Sequence, residues 1–318
     1  MRWVWIQWTL LLAVVELGSV VGARAASVQS RISHAELQAD QSERLLDSFY
    51  AGAEFDREFP RAGDRSSRLY YYAQIFLRHK SPYLENPLGE GREGQFSRQP
   101  LYRFDGFDCT TFVETIMALA LSYSSEEFKR TLNEIRYKDG QVDYVSRNHF
   151  PSLDWIPNNS KMGFVEDITG EVGGRRTLQV AAAIDKASWY KKKGPAFQEV
   201  VRQNRFKVES VAVPYLSKED LLRNPSLIQS IPSGSIFHVV RKGWNVQRSQ
   251  GTEMTISHMG FLFWEKDVLY MIHASNGLRD GSDDYRGVKK EPLAEYLFRV
   301  MMKSPTMVGL NILQVAPE

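Results

Sequence analysis

Tyr102-Arg103-Phe104-Asp105-Gly106-Phe107-Asp108-Cys109-Thr110-Thr111-Phe112 leads straight into Val113-Glu114-Thr115-Ile116-Met117-Ala118-Leu119-Ala120-Leu121. The second stretch is apolar nearly all round and contains neither Gly nor Pro, which predicts a helix buried on every side. Asp108 is a good N-cap residue immediately before it. Cys109, the only cysteine in the chain, then falls in the first helical turn, where unpaired N–H groups and the positive end of the helix dipole favour a thiolate. Two readings of this thiol stand: a nucleophile, or a small buried hydrophobe.

The amino terminus bears on that choice. Arg2 precedes an apolar run from Trp3 to about Val21 that closes on Ala23-Arg24-Ala25, a small-x-small pattern. Residues 1–25 read as a secretory signal peptide, with an uncleaved anchor as the alternative because Glu16 interrupts the run. Beyond Ala25 no stretch approaches the roughly 18 to 20 apolar residues of a membrane span. The expectation is a chain secreted across the inner membrane into the periplasm, without stable membrane insertion. Exported proteins that keep cysteines usually keep them in pairs, so a retained lone thiol favours chemistry over packing. A formal net charge of +2 leaves no electrostatic footprint for nucleic acid. Arg175-Arg176 and Lys191-Lys192-Lys193 read as a solvated face, or as an attractor for an anionic substrate.

Helical periodicity runs from His34 to about Phe55 and again from Ser66 to His79. Ser81-Pro82-Tyr83 and Asn86-Pro87-Leu88-Gly89 break the pattern before the Cys109 helix. A further helix follows over Ser125 to Tyr137, capped from Ser124 or Ser125. The block from Asp139 to Pro214 mixes short helical and irregular pieces, with one clearer helix near Leu178 to Lys191. Its length inside one domain suggests that it lines a cleft. After Ile231-Pro232-Ser233-Gly234 the period becomes two, and Ser235–Arg241, Thr255–Trp264, Val268–Ala274 and Leu310–Val315 read as strands. Helices first and antiparallel strands after them give an α+β fold. The expected domains are a signal peptide (1–25), a helical lead-in (26–65) and a catalytic domain (66–318) with an insertion at about 139–214.

A cysteine nucleophile needs a base and a group that holds the base in position. His34 and His79 read as surface residues and His238 as a core histidine. His258 and His273 fall on the two arms of a predicted hairpin turning at Glu265-Lys266-Asp267, and are expected to face each other with Cβ atoms about 4.5–5.5 Å apart.

The motifs carrying these residues, Phe107-Asp108-Cys109-Thr110-Thr111-Phe112-Val113-Glu114, Ser146-Arg147-Asn148-His149-Phe150, Val213-Pro214-Tyr215-Leu216, Ser257-His258-Met259-Gly260 and Ile272-His273-Ala274-Ser275, resemble the N-acetylmuramoyl-L-alanine amidase-like branch of the NlpC-type papain-like cell-wall peptidases. The match spans roughly Ser66 to Val315. The resemblance implies a papain-like fold with the nucleophile helix packed on an antiparallel sheet or barrel. It casts Cys109 as nucleophile, His258 as base and His273 as its orienting partner, with the Cys109 N–H helping to form an oxyanion hole. Tyr83 resembles a tyrosine placed beside the cysteine, although Ser81 departs from that pattern, and Asp108 supports the site. Arg147, Asn148 and His149 belong to a branch-specific motif that lines the cleft or holds its loop. The implied protein is a monomer without metal or cofactor, acting on soluble muropeptides at the bond between N-acetylmuramic acid and L-alanine. Alternatives are cleavage between D-glutamate and a diamino acid, an inactive wall-binding module, and a zinc hydrolase using His258 and His273, which lacks a close ligand pair. Donors at Arg147, Asn148, His149, Trp155, Asn158 and Asn159 are expected to face the sugar.

Overall fold

A computed structural model describes residues 41–51, 64–91, 93–277 and 284–316. The expected signal peptide, and His34 with it, lie outside the described residues. Helix α1 (Ser42–Tyr50) buries Leu45, Leu46 and Phe49. Helix α2 (Arg65–Arg78) starts at Asp64, whose carboxylate accepts from the Ser66 N–H. Helix α3 (Cys109–Leu121) is buried along nearly its whole length, as its sequence predicts. Helix α4 (Ser125–Arg136) is capped by Ser124 and turns Phe128, Leu132 and Ile135 inward.

The strands are β1 (Val165–Asp167), β2 (Leu178–Asp185), β3 (Val208–Ser217), β4 (Ser235–Arg241), β5 (Ile256–Glu265), β6 (Val268–Ser275), β7 (Gly287–Pro292) and β8 (Met307–Val315). They form one eight-stranded sheet in the order β2-β3-β8-β4-β5-β6-β7, with β1 beside β8. All pairings are antiparallel, so the α+β reading holds. Helices α2 and α3 cover one face through Ile236, Phe261, Phe263, Ile272 and Ala274. On the other face Phe237, Leu262, Met271 and Ile312 pack under Leu221, Leu293, Leu297 and Met301. Because both faces are covered, β4 is a continuous buried run rather than an alternation of apolar and polar residues.

The helix expected over Leu178 to Lys191 is instead a strand followed by a helix. Leu178–Asp185 is β2, and α5 occupies Lys186–Lys193. Val180, Ala182 and Ile184 point inward at period two, and pairing with β3 outweighs the helical propensity of Ala181-Ala182-Ala183. Asp185 then accepts from the Ser188 N–H and starts α5. Strand β3 lies inside the block expected to be irregular, and β7 has too many charges to show as a strand. Among the described residues, no helix is long and apolar enough to cross a membrane.

Candidate active site

Cys109 is the first residue of α3. The Asp108 carboxylate accepts from the Thr111 N–H at 2.7 Å, and the Thr111 hydroxyl accepts from the Asp108 N–H at 3.0 Å, a reciprocal cap that fixes the start of the helix. The approach to it is equally constrained. Phe107 N–H donates to Pro82 O and Leu84 N–H to Phe107 O, each at 3.0 Å. A Cβ at Gly106 would come within 2.8 Å of Pro82 O, so only glycine allows this approach. Tyr83 is thereby held beside Cys109, where burial, then the thiol and Asp108, push its phenol pKa upward.

Helix position alone predicts an acidic thiol, but burial and then the Asp108 carboxylate push Cys109 up to about 12, against smaller contributions from Thr110 and the Met259 N–H. The dipole is worth about 0.3–1 kcal/mol, less than one pKa unit, whereas full burial moves a group by up to several units. Desolvation outweighs the dipole and shifts the balance toward the thiol.

The β5–β6 ladder runs from Glu265↔Val268 to Phe261↔Ile272. Continuing that register sets His273 across from Gly260, with His258 one step along on the same face. The two histidines are therefore diagonal neighbours, not directly opposed as the sequence suggests. Gly260 makes this work: a Cβ there would lie 2.6 Å from the His273 Cβ. The rings meet edge to face with centroids 4.8 Å apart, and His258 Nε2 lies 2.7 Å from His273 Nδ1.

Beyond them stands Glu291 on β7, which the sequence reading missed. Its Oε1 is 3.0 Å from His273 Nε2 and 2.8 Å from Lys289 Nζ, and its Oε2 is 2.8 Å from Arg299 Nη2. Burial works to raise its pKa, but the hydrogen bonds from His273 and Lys289 outweigh it and hold the carboxyl at about 2. An ionised carboxylate only accepts. His273 therefore carries a proton on Nε2; when His273 is neutral, its Nδ1 accepts from His258 Nε2–H and leaves the lone pair of neutral His258 on Nδ1. Burial, then the neighbouring His273 and Lys289, keep His258 well below its ordinary 6.5.

Cys109, His258 and His273 line one cavity of about 900 Å³, together with Tyr83 and His149. Of the segment 139–214, only His149 and Pro151 reach it, so the expected cleft lining is corrected. Arg147 donates to Leu88 O at 2.9 Å, and Asn148, which is buried, donates to Ile135 O at 3.0 Å. Trp155 donates to Glu114, and Asn158 and Asn159 to the carbonyls of Glu134 and Ile135. These residues hold the loop from behind. His149 donates from Nε2 to Tyr144 O at 2.7 Å, and burial, then Arg147, depress it to about 3. The wall facing the site comes instead from Trp244 to Met254, braced from behind where the Asp185 N–H donates to Thr252. His238 is a core residue, fully buried and 3.0 Å from Asn311 Oδ1. Among the described residues no cluster of three potential metal ligands forms.

The family model described as AmiA-like, N-acetylmuramoyl-L-alanine amidase-like, matches residues 73–304. The chain belongs to this family. A Legionella pneumophila protein of known structure is similar to this AmiA-like chain, with 29% identity and a TM-score of 0.77 over 87% of this chain and 96% of the other. An N-acetylmuramoyl-L-alanine amidase from Bacteroides uniformis shares the fold at 24% identity and a TM-score of 0.60, covering 80% of this chain and all of the other. A putative xylanase from Bacteroides fragilis is similar at 25% identity and a TM-score of 0.55, over 76% and 98%. No curated protein matches the chain.

Proposed function

We propose that this AmiA-like protein is a cysteine amidase of the NlpC-type papain-like class, cutting the amide between N-acetylmuramic acid and L-alanine in peptidoglycan fragments. The observation that carries the reading is the chain Glu291–His273–His258 ending in one cavity with Cys109. Membership of the amidase-like family supports the choice of bond, and the amino-terminal apolar run supports action outside the cytoplasm.

Neutral His258 accepts the Cys109 proton at Nδ1 as sulfur attacks the carbonyl carbon, so thiolate forms only with substrate in place. The Cys109 N–H, at the open start of α3, faces the developing oxyanion. Imidazolium His258 then protonates the departing amine and the C–N bond breaks, leaving a thioester. Water, deprotonated by His258, releases the sugar acid and restores the thiol. Tyr83 borders the attack path and orients the carbonyl. The resting pair is thus a neutral thiol and a neutral imidazole.

Mass spectrometry of an N-acetylmuramoyl tripeptide after incubation should show the free sugar acid and the intact tripeptide, and Cys109→Ala should produce neither. A product cut after D-glutamate would move the reading to an endopeptidase.

A further inference from the structure

Two cations flank the histidine pair. On one face of the sheet, adjacent strands present Arg241 (β4), His258 (β5), His273 (β6) and Lys289 (β7), with Lys289 directly paired to His273. Arg241 and Lys289 both line the cavity, and among the described residues no Asp or Glu does. Arg241 is held in place: its Nη1 donates to the Thr306 hydroxyl at 2.5 Å, and its guanidinium sits 4.7 Å from the centre of the Trp244 ring. A fixed guanidinium presents donors in the planar fork that suits a carboxylate, and an aromatic under it lowers the cost of keeping it there.

We propose that Arg241, seated on Trp244, is the subsite for a carboxylate on the peptide half of the substrate. This rests on the amidase reading. In a muramoyl peptide the sugar's own carboxyl is consumed in the scissile amide, so every remaining carboxylate belongs to the peptide that leaves as the amine. The nearest is the free α-carboxylate of the second residue when that residue is joined onward through its side chain. A guanidinium on the cavity wall attracts such a group and repels a cationic one. It also favours departure of the peptide bearing that charge over departure of a neutral amine. Arg241 is a specificity residue and takes no proton.

The test uses the mature protein and two N-acetylmuramoyl tripeptides that differ only in whether this α-carboxylate is free or converted to the carboxamide. Wild type should favour the free acid by about 10- to 100-fold in kcat/KM, the range of one charge-assisted hydrogen bond, mainly through KM. Arg241→Gln should reduce that preference to within about 3-fold. A merely structural Arg241 would depress both substrates together and leave the ratio unchanged. Equal turnover of acid and carboxamide by wild type overturns the subsite while leaving the amidase reading intact. If neither is cleaved, that reading fails, and calorimetric binding of the two compounds to Cys109→Ala decides the subsite alone: tighter binding of the free acid supports it, and equal binding overturns it.

Discussion

At the scale of single residues, Glu291 determines which nitrogen of His258 can act. Replacing it with Gln keeps the size but removes the charge that makes the acceptor role obligatory, so His273 can adopt the other tautomer and His258 with it. Glu291→Gln should lower kcat by about 10- to 1000-fold with KM little changed; unchanged kcat in steady-state assays would break the relay. The thiol gives a second test. Since burial and Asp108 hold Cys109 at about 12, iodoacetamide should alkylate the resting protein more slowly at pH 7.5 than a free thiol of pKa about 8.5. Faster labelling would restore the thiolate that helix position alone suggests. That position was legible in the sequence from Asp108 and the apolar run, but the packing around the sulfur was not, because Cys109 lies against a cluster that includes Met259 and Phe261, far along the chain. Glu291 was hidden for a similar reason: in Lys289-Lys290-Glu291 it reads as a surface charge, and only pairing of β7 with β6 turns it inward.

Among the elements, the β5–β6 hairpin is both the most legible and the most tightly specified. Its strands and its turn at Lys266-Asp267 followed from apolar residues bounded by a polar tight turn. The exact opposition of the two histidines did not follow, because a shift of the turn centre by one position changes a facing pair into a diagonal one. Gly260→Ala probes that geometry. The added methyl would meet the His273 Cβ at 2.6 Å and force the ring or the strand to move. We expect a stability loss of about 1–3 kcal/mol with a fall in kcat of about 100-fold or more, compared by denaturant unfolding and turnover. A variant as active as wild type would show that the imidazoles tolerate the shift. Strand β2 was misread for the opposite reason: its alanines lack β preference, and its partner β3 is what makes it a strand.

For the molecule as a whole, three imidazoles are kept neutral by burial first: His258 well below 6.5, His238 at about 4 and His149 at about 3. Each binds a proton more readily unfolded than folded, so the stability it contributes is present above pH 6.5 and is lost as pH falls through the folded values. Glu291 acts in the same direction lower down, its contribution present above about 4.5 and lost towards 2. Thermal melts should show Tm falling steadily from pH 6.5 to 4, and His238→Gln should flatten that slope; a pH-independent Tm would mean that these rings are solvated. The acid limb of kcat/KM should lie below pH 6.5, because His258 is competent while neutral. The position of β7 has a consequence for solubility. It is the outermost strand at its end of the sheet, where unpaired backbone groups invite another chain to add on. One end is covered, since Val288 N–H donates to Ser81 O at 2.8 Å. The other carries Lys289, Lys290, Glu291 and Pro292, charges and a proline that deter strand addition. Substitutions that neutralise this run would therefore disable the histidine relay and open the sheet edge at once, so loss of activity in such variants should come with self-association, visible by light scattering.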